Sequence, residues 1–266
     1  MIRRFGSLGP DADAGAQRYA RAGFRWAAPI TLAHGGAEAI RKNRDPAWYR
    51  ALRRRGVAVW PLWILPTPAT WRAELVPFLD HARSVGSRGV IIDPEAEFRG
   101  EHDEARAFAR EARREANARG LVLAVTSYGT PANIPDFPWD EFGESAELGI
   151  AQLYDRDDQH RPGYFARGLR QWRSHGFPEV LPAGSTWSHA DQAQKTDPHL
   201  RQHLAEIPAS SGVILWTMPE IAARVWRIIA AWSPKLTGGR GSHNAGAGGI
   251  LALLGALGLL AALGRA

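Results

Sequence analysis

The chain has 266 residues, 11 of them tryptophan and none cysteine, and carries a formal net charge of +6. That length suits one large α/β domain, and the lack of cysteine excludes disulfides, thiolate metal sites and a thiol nucleophile. The positive charge suits an anionic partner such as an acidic wall polymer or membrane surface. Nothing but net charge speaks for a nucleic acid, so none is expected as a partner. Much of the arginine lies in helix-like stretches, Arg50 to Arg55 and Arg106 to Arg119, where it reads as a solvated face.

The amino terminus, Met1 to Gly6, is basic but has no apolar stretch before Pro10 and Asp11, so no N-terminal signal peptide of the ordinary kind is expected. From there short β-branched or aromatic runs recur roughly every 30 residues, the size of a βα unit. In chain order they are Ile2 to Leu8, Phe24 to Thr31, Val57 to Leu65, Gly89 to Glu95, Leu121 to Tyr128, Gly149 to Tyr154, Val180 to Ser185 and Val213 to Thr217. Helix-period segments fill the gaps at Asp11 to Ala22, Pro46 to Arg55, Ala69 to Val85, Glu101 to Arg119, Pro162 to His175, Pro198 to Ile207 and Pro219 to Trp232. Only Tyr128 to Glu147 is irregular, because Pro131, Pro135 and Pro138 delay any helix until Asp140.

Eight strand and helix patterns in alternation predict a (β/α)8 TIM barrel over residues 1–233. A doubly wound open sheet is the rival, and no glycine-rich phosphate fingerprint follows the first strand to support it. Residues 234–245 are small, polar and glycine-rich, which predicts a flexible linker. Residues 246–264 are an uncharged run of Leu, Ala and Gly, about long enough for a membrane-spanning helix. The expectation is a C-terminal hydrophobic, transmembrane helix and a membrane-associated protein. A cleaved sorting signal and a segment packed on the barrel are the other two readings of this tail.

In such a barrel the active site forms at the carboxyl ends of the strands. The fourth expected strand ends in Asp93-Pro94-Glu95, two acids whose Cβ atoms lie roughly 6–7 Å apart on one face of an extended chain. Like charge and a partly apolar site raise a carboxyl pKa, which keeps one of the pair protonated for general acid work. The bland alternative is a strand end whose acids cap a helix or pair with arginine. Glu97 continues the alternation and reads as a loop acid, although an exchange of roles among the three acids stays open. Tyr128, Gln152, Tyr154, Asp155 and Trp216 end other strands at the same mouth. Aromatic rings stack on sugars, carboxyls move protons, and Tyr and Gln orient substituents, so this set suits carbohydrate chemistry. Trp26, Trp60 and Trp63 are candidates to extend the platform, with ordinary packing the competing reading of each.

Val90-Ile91-Ile92-Asp93-Pro94-Glu95 resembles the Asp-x-Glu strand of glycoside hydrolase family 25, the lysozyme-like muramidases. Ala151-Gln152-Leu153-Tyr154 and Leu215-Trp216 resemble that family's sixth and eighth strands. The same set, with Tyr154-Asp155, is similar to the pattern of the family 18 chitinases. The resemblance spans residues 1–233 in strand order through motifs of two to four residues. It implies Glu95 as general acid, Asp93 orienting a 2-acetamido group that attacks the anomeric carbon, Tyr154 bonding that group, and Trp216 flooring the sugar site.

Three features depart from these patterns: Ser7 stands where the muramidases usually carry a first-strand Asp, Val90 and Ile91 replace further chitinase aspartates, and Pro94 separates the acids. The expected function is a hydrolase of an amino-sugar polymer, peptidoglycan first, with the polysaccharide as partner. The alternative is an inactive barrel that binds glycan or protein and is tethered to a membrane. No cofactor or metal is expected, since Asp155, Asp157, Asp158 and His160 read as a solvated loop and no phosphate loop or nucleophile elbow occurs.

Overall fold

The computed structural model describes residues 12–21, 24–34, 39–41, 44–153, 163–185, 201, 205, 213–217 and 250–254. The expected first strand, Ile2 to Leu8, lies outside the described residues, as do the linker, the helix expected at Pro219 to Trp232 and most of that at Pro198 to Ile207. The described chain alternates helix and strand. Its elements are α1 (Ala12–Arg21), β1 (Phe24–His34), β2 (Ala39–Arg41), α2 (Pro46–Arg54), β3 (Ala58–Val59), β4 (Leu62–Ile64), α3 (Trp71–Ser84), β5 (Gly89–Asp93), α4 (His102–Ala118), β6 (Val122–Tyr128), α5 (Trp139–Gly143), β7 (Leu148–Gln152), α6 (Tyr164–Ser174), β8 (Val180–Ser185), β9 (Val213–Thr217) and β10 (Ile250–Leu254).

All strands but β2 run parallel in one curled sheet of order β10-β9-β8-β7-β6-β5-β4-β1-β2, with β3 also on β1. This is the architecture of a TIM-like barrel. β3 and β4 form one interrupted strand: Trp60 N–H donates to the Ala27 carbonyl, and the Pro61 carbonyl accepts from Ile91 N–H, each at 2.9 Å. Proline has no N–H for the ladder, which accounts for the break.

The apolar tail differs from expectation. Ile250–Leu254 is a strand that pairs with β9 on one side and β1 on the other, so over these five residues the expected hydrophobic helix is replaced by β-structure joining the two ends of the sheet. A run of Leu, Ala and Ile suits a parallel strand buried on both faces as well as it suits a membrane helix. Among the described residues no helix is long and apolar enough to cross a membrane.

Alternation along the strands sorts the core into two layers. Ala28, Ile30, Leu62, Ile64, Ile91, Ala124, Ile150, Leu181 and Ala183 fill the inside of the sheet, whereas Trp63, Val90, Ile92, Leu123, Val125 and Ala151 face the helices. Each fully buried Val, Leu or Ile contributes about 1.5–3 kcal/mol relative to exposure. α4 shows why the outer layer forms: Ala105, Phe108, Ala109, Ala112 and Ala116 make a buried stripe at helical spacing. Phe108 meets Trp63, Trp71, Phe98 and Phe142 with ring centroids 5.2–6.3 Å apart. The parity that puts Ile91 inside also turns Asp93, two residues on, toward the interior at the carboxyl end.

Candidate active site

β5 stops at Asp93, two residues earlier than the sequence predicts, and Asp93 is 4% exposed. Its carbonyl accepts from Leu65 N–H at 3.0 Å, fastening the end of β5 to the residue after β4. The proline between the acids has a place in the fold: Ser127 on β6 donates its Oγ hydrogen to the Pro94 carbonyl at 2.7 Å. Ser127 is fully buried, so this bond fixes how the chain leaves the strand. Glu95 then precedes a 3-10 turn, Ala96–Phe98, and is partly buried. Phe98 anchors that turn by stacking on Phe108 at 5.5 Å and meeting Phe142 edge-on at 5.6 Å.

Gln152, the last residue of β7, donates from Nε2 to Asp93 Oδ1 at 2.8 Å across a buried gap. β6 lies between β5 and β7, so this bond spans two strand positions at the mouth of the sheet. Tyr128 ends β6 directly beside Gln152 in register, and its ring stands edge-on to Phe137 at 5.9 Å. Tyr128 is half-buried.

The electrostatics follow from burial without a compensating cation among the described residues. Among the described residues no ion pair involves Asp93, Glu95 or Glu97. Burial, followed by the charges of Glu95 and Glu97, pushes the Asp93 carboxyl well above its ordinary range, with the Gln152 hydrogen bond opposing. Glu95 is pushed up to about 7 by burial and by the Glu97 charge, again opposed by Gln152. Glu97 is itself raised by burial. Burial and the same carboxylates raise the Tyr128 hydroxyl, so it stays a donor. A carboxyl near neutrality beside a second buried carboxyl can hold a proton at physiological pH and release it to a reacting group.

The structure therefore brings together Asp93, Glu95, Tyr128 and Gln152 of the residues singled out in the sequence. Tyr154 and Asp155 lie outside the described residues, and Trp216 is placed only as a backbone position on β9. The suggested tryptophan platform is not at this mouth. Trp26 and Trp60 stack at 4.8 Å with planes 20° apart, and Trp60 lies over Gly89, the first residue of β5 and hence at the opposite end of the strand from Asp93. Trp63 is fully buried against Phe78 and Phe108 in the helix layer. Glu97, for which the sequence offers a loop acid or an exchange of roles with Asp93 and Glu95, sits on the 3-10 turn after β5, where its charge acts on Glu95.

No family model matches the chain, and no curated protein matches it. Solved structures do share its fold. A chitinase from Chromobacterium violaceum aligns with a TM-score of 0.61 at 13% identity, over 89% of this chain and 98% of that one. The spore cortex-lytic enzyme SleL of Bacillus megaterium gives 0.58 at 10% identity, over 84% and 70%. A class V chitinase from Pseudomonas fluorescens Pf-5 gives 0.56 at 11% identity, over 86% and 98%. At such identities the likeness shows a fold shared with glycoside hydrolase-like TIM-barrel proteins; the muramidase resemblance rests on the sequence motifs alone.

Proposed function

We propose that the chain is a glycoside hydrolase that cleaves an amino-sugar polymer, with peptidoglycan the favoured substrate and chitin-type chains the alternative. The observation that carries this reading is the placement of Asp93, buried and bonded by Gln152 at 2.8 Å, with Glu95 two residues on, at the carboxyl end of β5, where burial raises both carboxyls. The fold shared with chitinases and a cortex-lytic enzyme supports it. The net charge of +6 suits an anionic wall polymer.

In this mechanism Glu95 donates its proton to the glycosidic oxygen as the bond from that oxygen to the anomeric carbon breaks. The carbonyl oxygen of the sugar's own 2-acetamido group bonds to the anomeric carbon, and Asp93 accepts from the acetamido N–H. Water then attacks the same carbon, returning a proton to Glu95 and restoring the acetamido group. Such substrate assistance departs from the usual scheme of two enzyme carboxylates. Gln152 holds Asp93 in place through its 2.8 Å hydrogen bond. Tyr128 and Asp155 contact substrate, Tyr154 bonds the acetamido group, and Trp216 stacks beneath the sugar ring.

The substrate is chosen by incubating the full chain with purified peptidoglycan and, separately, with soluble chitin oligosaccharides, and measuring reducing ends. Release from peptidoglycan supports the favoured substrate, release from chitin alone replaces it, and release from neither removes the hydrolase reading.

A further inference from the structure

We propose that Leu65 is a positioning residue of this site: its left-handed backbone holds the main chain at Asp93, and its buried side chain holds that backbone. The inference rests on the reading of Asp93 as the acceptor of the substrate's acetamido N–H, although part of its test needs no turnover. Leu65 has a φ of 52° and is, among the described residues, the one non-glycine residue with a positive φ. A bulky side chain at positive φ is a genuine outlier. Pro66 follows it and restricts Leu65 further, toward extended backbone. Such strain persists only where the surroundings over-determine it.

The strain has a visible result in the packing. Leu62 and Ile64 of β4 face the inside of the sheet, and Trp63 between them faces the helices. Continued alternation would turn Leu65 outward, as it does Trp63. Leu65 is instead 7% exposed in the inner layer, together with Ile64 and Ile91. The left-handed step thus puts two successive apolar side chains inside at the carboxyl end of β4. Glycine would adopt this φ without steric conflict, but it would fill nothing there.

The same step aims the backbone at the site. Leu65 N–H donates to the Asp93 carbonyl at 3.0 Å, one residue beyond the register pair of Ile64 with Asp93. Asp93 is therefore held at its main chain from the end of β4 and at its carboxyl by Gln152 from β7 at 2.8 Å. Packing of the Leu65 side chain opposes relaxation of φ, and relaxation would swing the N–H away from the Asp93 carbonyl.

The test compares Leu65→Gly with Leu65→Ala in the full chain by amide hydrogen exchange, denaturant unfolding and steady-state kinetics. Glycine keeps the left-handed backbone without strain, whereas alanine keeps the strain and loses most of the packing that opposes it. The residue-65 amide is expected to be protected in the wild type and in Leu65→Gly and to lose protection in Leu65→Ala. Leu65→Gly is expected to unfold at the higher denaturant concentration of the two variants. In Leu65→Ala kcat is expected to fall by about 10²-fold, the scale of a 1 Å misplacement, with KM little changed, and in Leu65→Gly it falls less. A packing role alone predicts the reverse order, because glycine removes more of the side chain. If Leu65→Ala does not fold, Leu65→Asn against Leu65→Val puts the same question, since asparagine tolerates positive φ and a β-branched side chain does not.

A wild-type residue-65 amide without protection overturns the inference, as does a Leu65→Ala that is as well protected and as stable as Leu65→Gly. In an active chain, a kcat that does not follow the order of amide protection overturns it too. The expected order of protection and stability in a chain that cuts no polymer leaves Leu65 holding Asp93 and removes the hydrolase reading instead.

Discussion

Gln152 Nε2 lies 2.8 Å from Asp93 Oδ1, a buried contact between residues 59 apart in sequence that ties β7 to β5 over the end of β6. An amide donor at this place favours the charged form of Asp93, which burial and two neighbouring carboxylates oppose. The balance sets how strongly Asp93 accepts from a substrate N–H. Gln152→Ala is expected to lose the bond, cost about 1 kcal/mol of stability, the net worth of a typical hydrogen bond, and lower kcat more than it raises KM. Denaturant unfolding and steady-state kinetics of the same preparation check both halves.

The contribution of these acids to stability should fall as pH rises through the range where they ionise. A carboxyl raised in the folded state binds its proton more tightly there than in the unfolded chain, so its contribution is present at low pH and lost on deprotonation. For Glu95 the window runs from its ordinary value of 4.5 to about 7, and Asp93 and Glu97 act in the same direction. His81, lowered to about 4 by burial, acts in the opposite direction over much of the same window, so the readout is the difference between wild type and Glu95→Gln. Thermal unfolding of the full chain across that window should show the midpoint of the wild type falling relative to that of Glu95→Gln as pH rises. A wild-type midpoint that rises relative to the variant would mean that Glu95 is paired rather than desolvated.

The approach of β6 to β7 depends on a missing side chain. A Cβ added to Gly129 would collide with the backbone carbonyl of Gln152. Backbone cannot swing aside as a flexible side chain does, so Gly129→Ala is expected to shift the end of β7 and displace the Gln152 amide from Asp93. The expected outcome is a cost of about 1–3 kcal/mol, typical of overpacking, together with an activity loss like that of Gln152→Ala. Gly89→Ala offers the comparison: its Cβ would meet the Trp60 ring at 2.7 Å, at the other end of the strand. That variant should lose stability with little change in kcat.

How far this was legible in the sequence depends on the kind of signal. The run Val90-Ile91-Ile92 followed by Asp93 could be read because a buried parallel strand is apolar throughout, so an acid at its end stands out. Gln152 was singled out by its position at a strand end, but its partner was not, since nothing local to residues 148–152 specifies a contact with residue 93. Trp26 and Trp60 were misleading because composition says nothing about which end of a strand a side chain occupies. Their ring stack covers Gly89, a close approach visible only in three dimensions.

The tail was ambiguous for a different reason. Apolar Leu and Ala in unbroken sequence satisfy both a membrane helix and a strand buried on both faces, and periodicity does not separate the two. The pairing of Ile250–Leu254 with β9 and β1 decides for a strand over those residues, which is why activity is best measured on the full chain.

The most direct test of the central claim is the release of reducing ends from peptidoglycan and chitin oligosaccharides by the full chain, wild type against Glu95→Gln, with glycan binding measured alongside. Glu95 as general acid predicts a loss of about 10²-fold or more in turnover, with binding retained and folding intact. Turnover unchanged in the variant would show that another group supplies the proton. A wild type that binds glycan but cuts neither polymer would contradict the hydrolase and make the barrel a binding module.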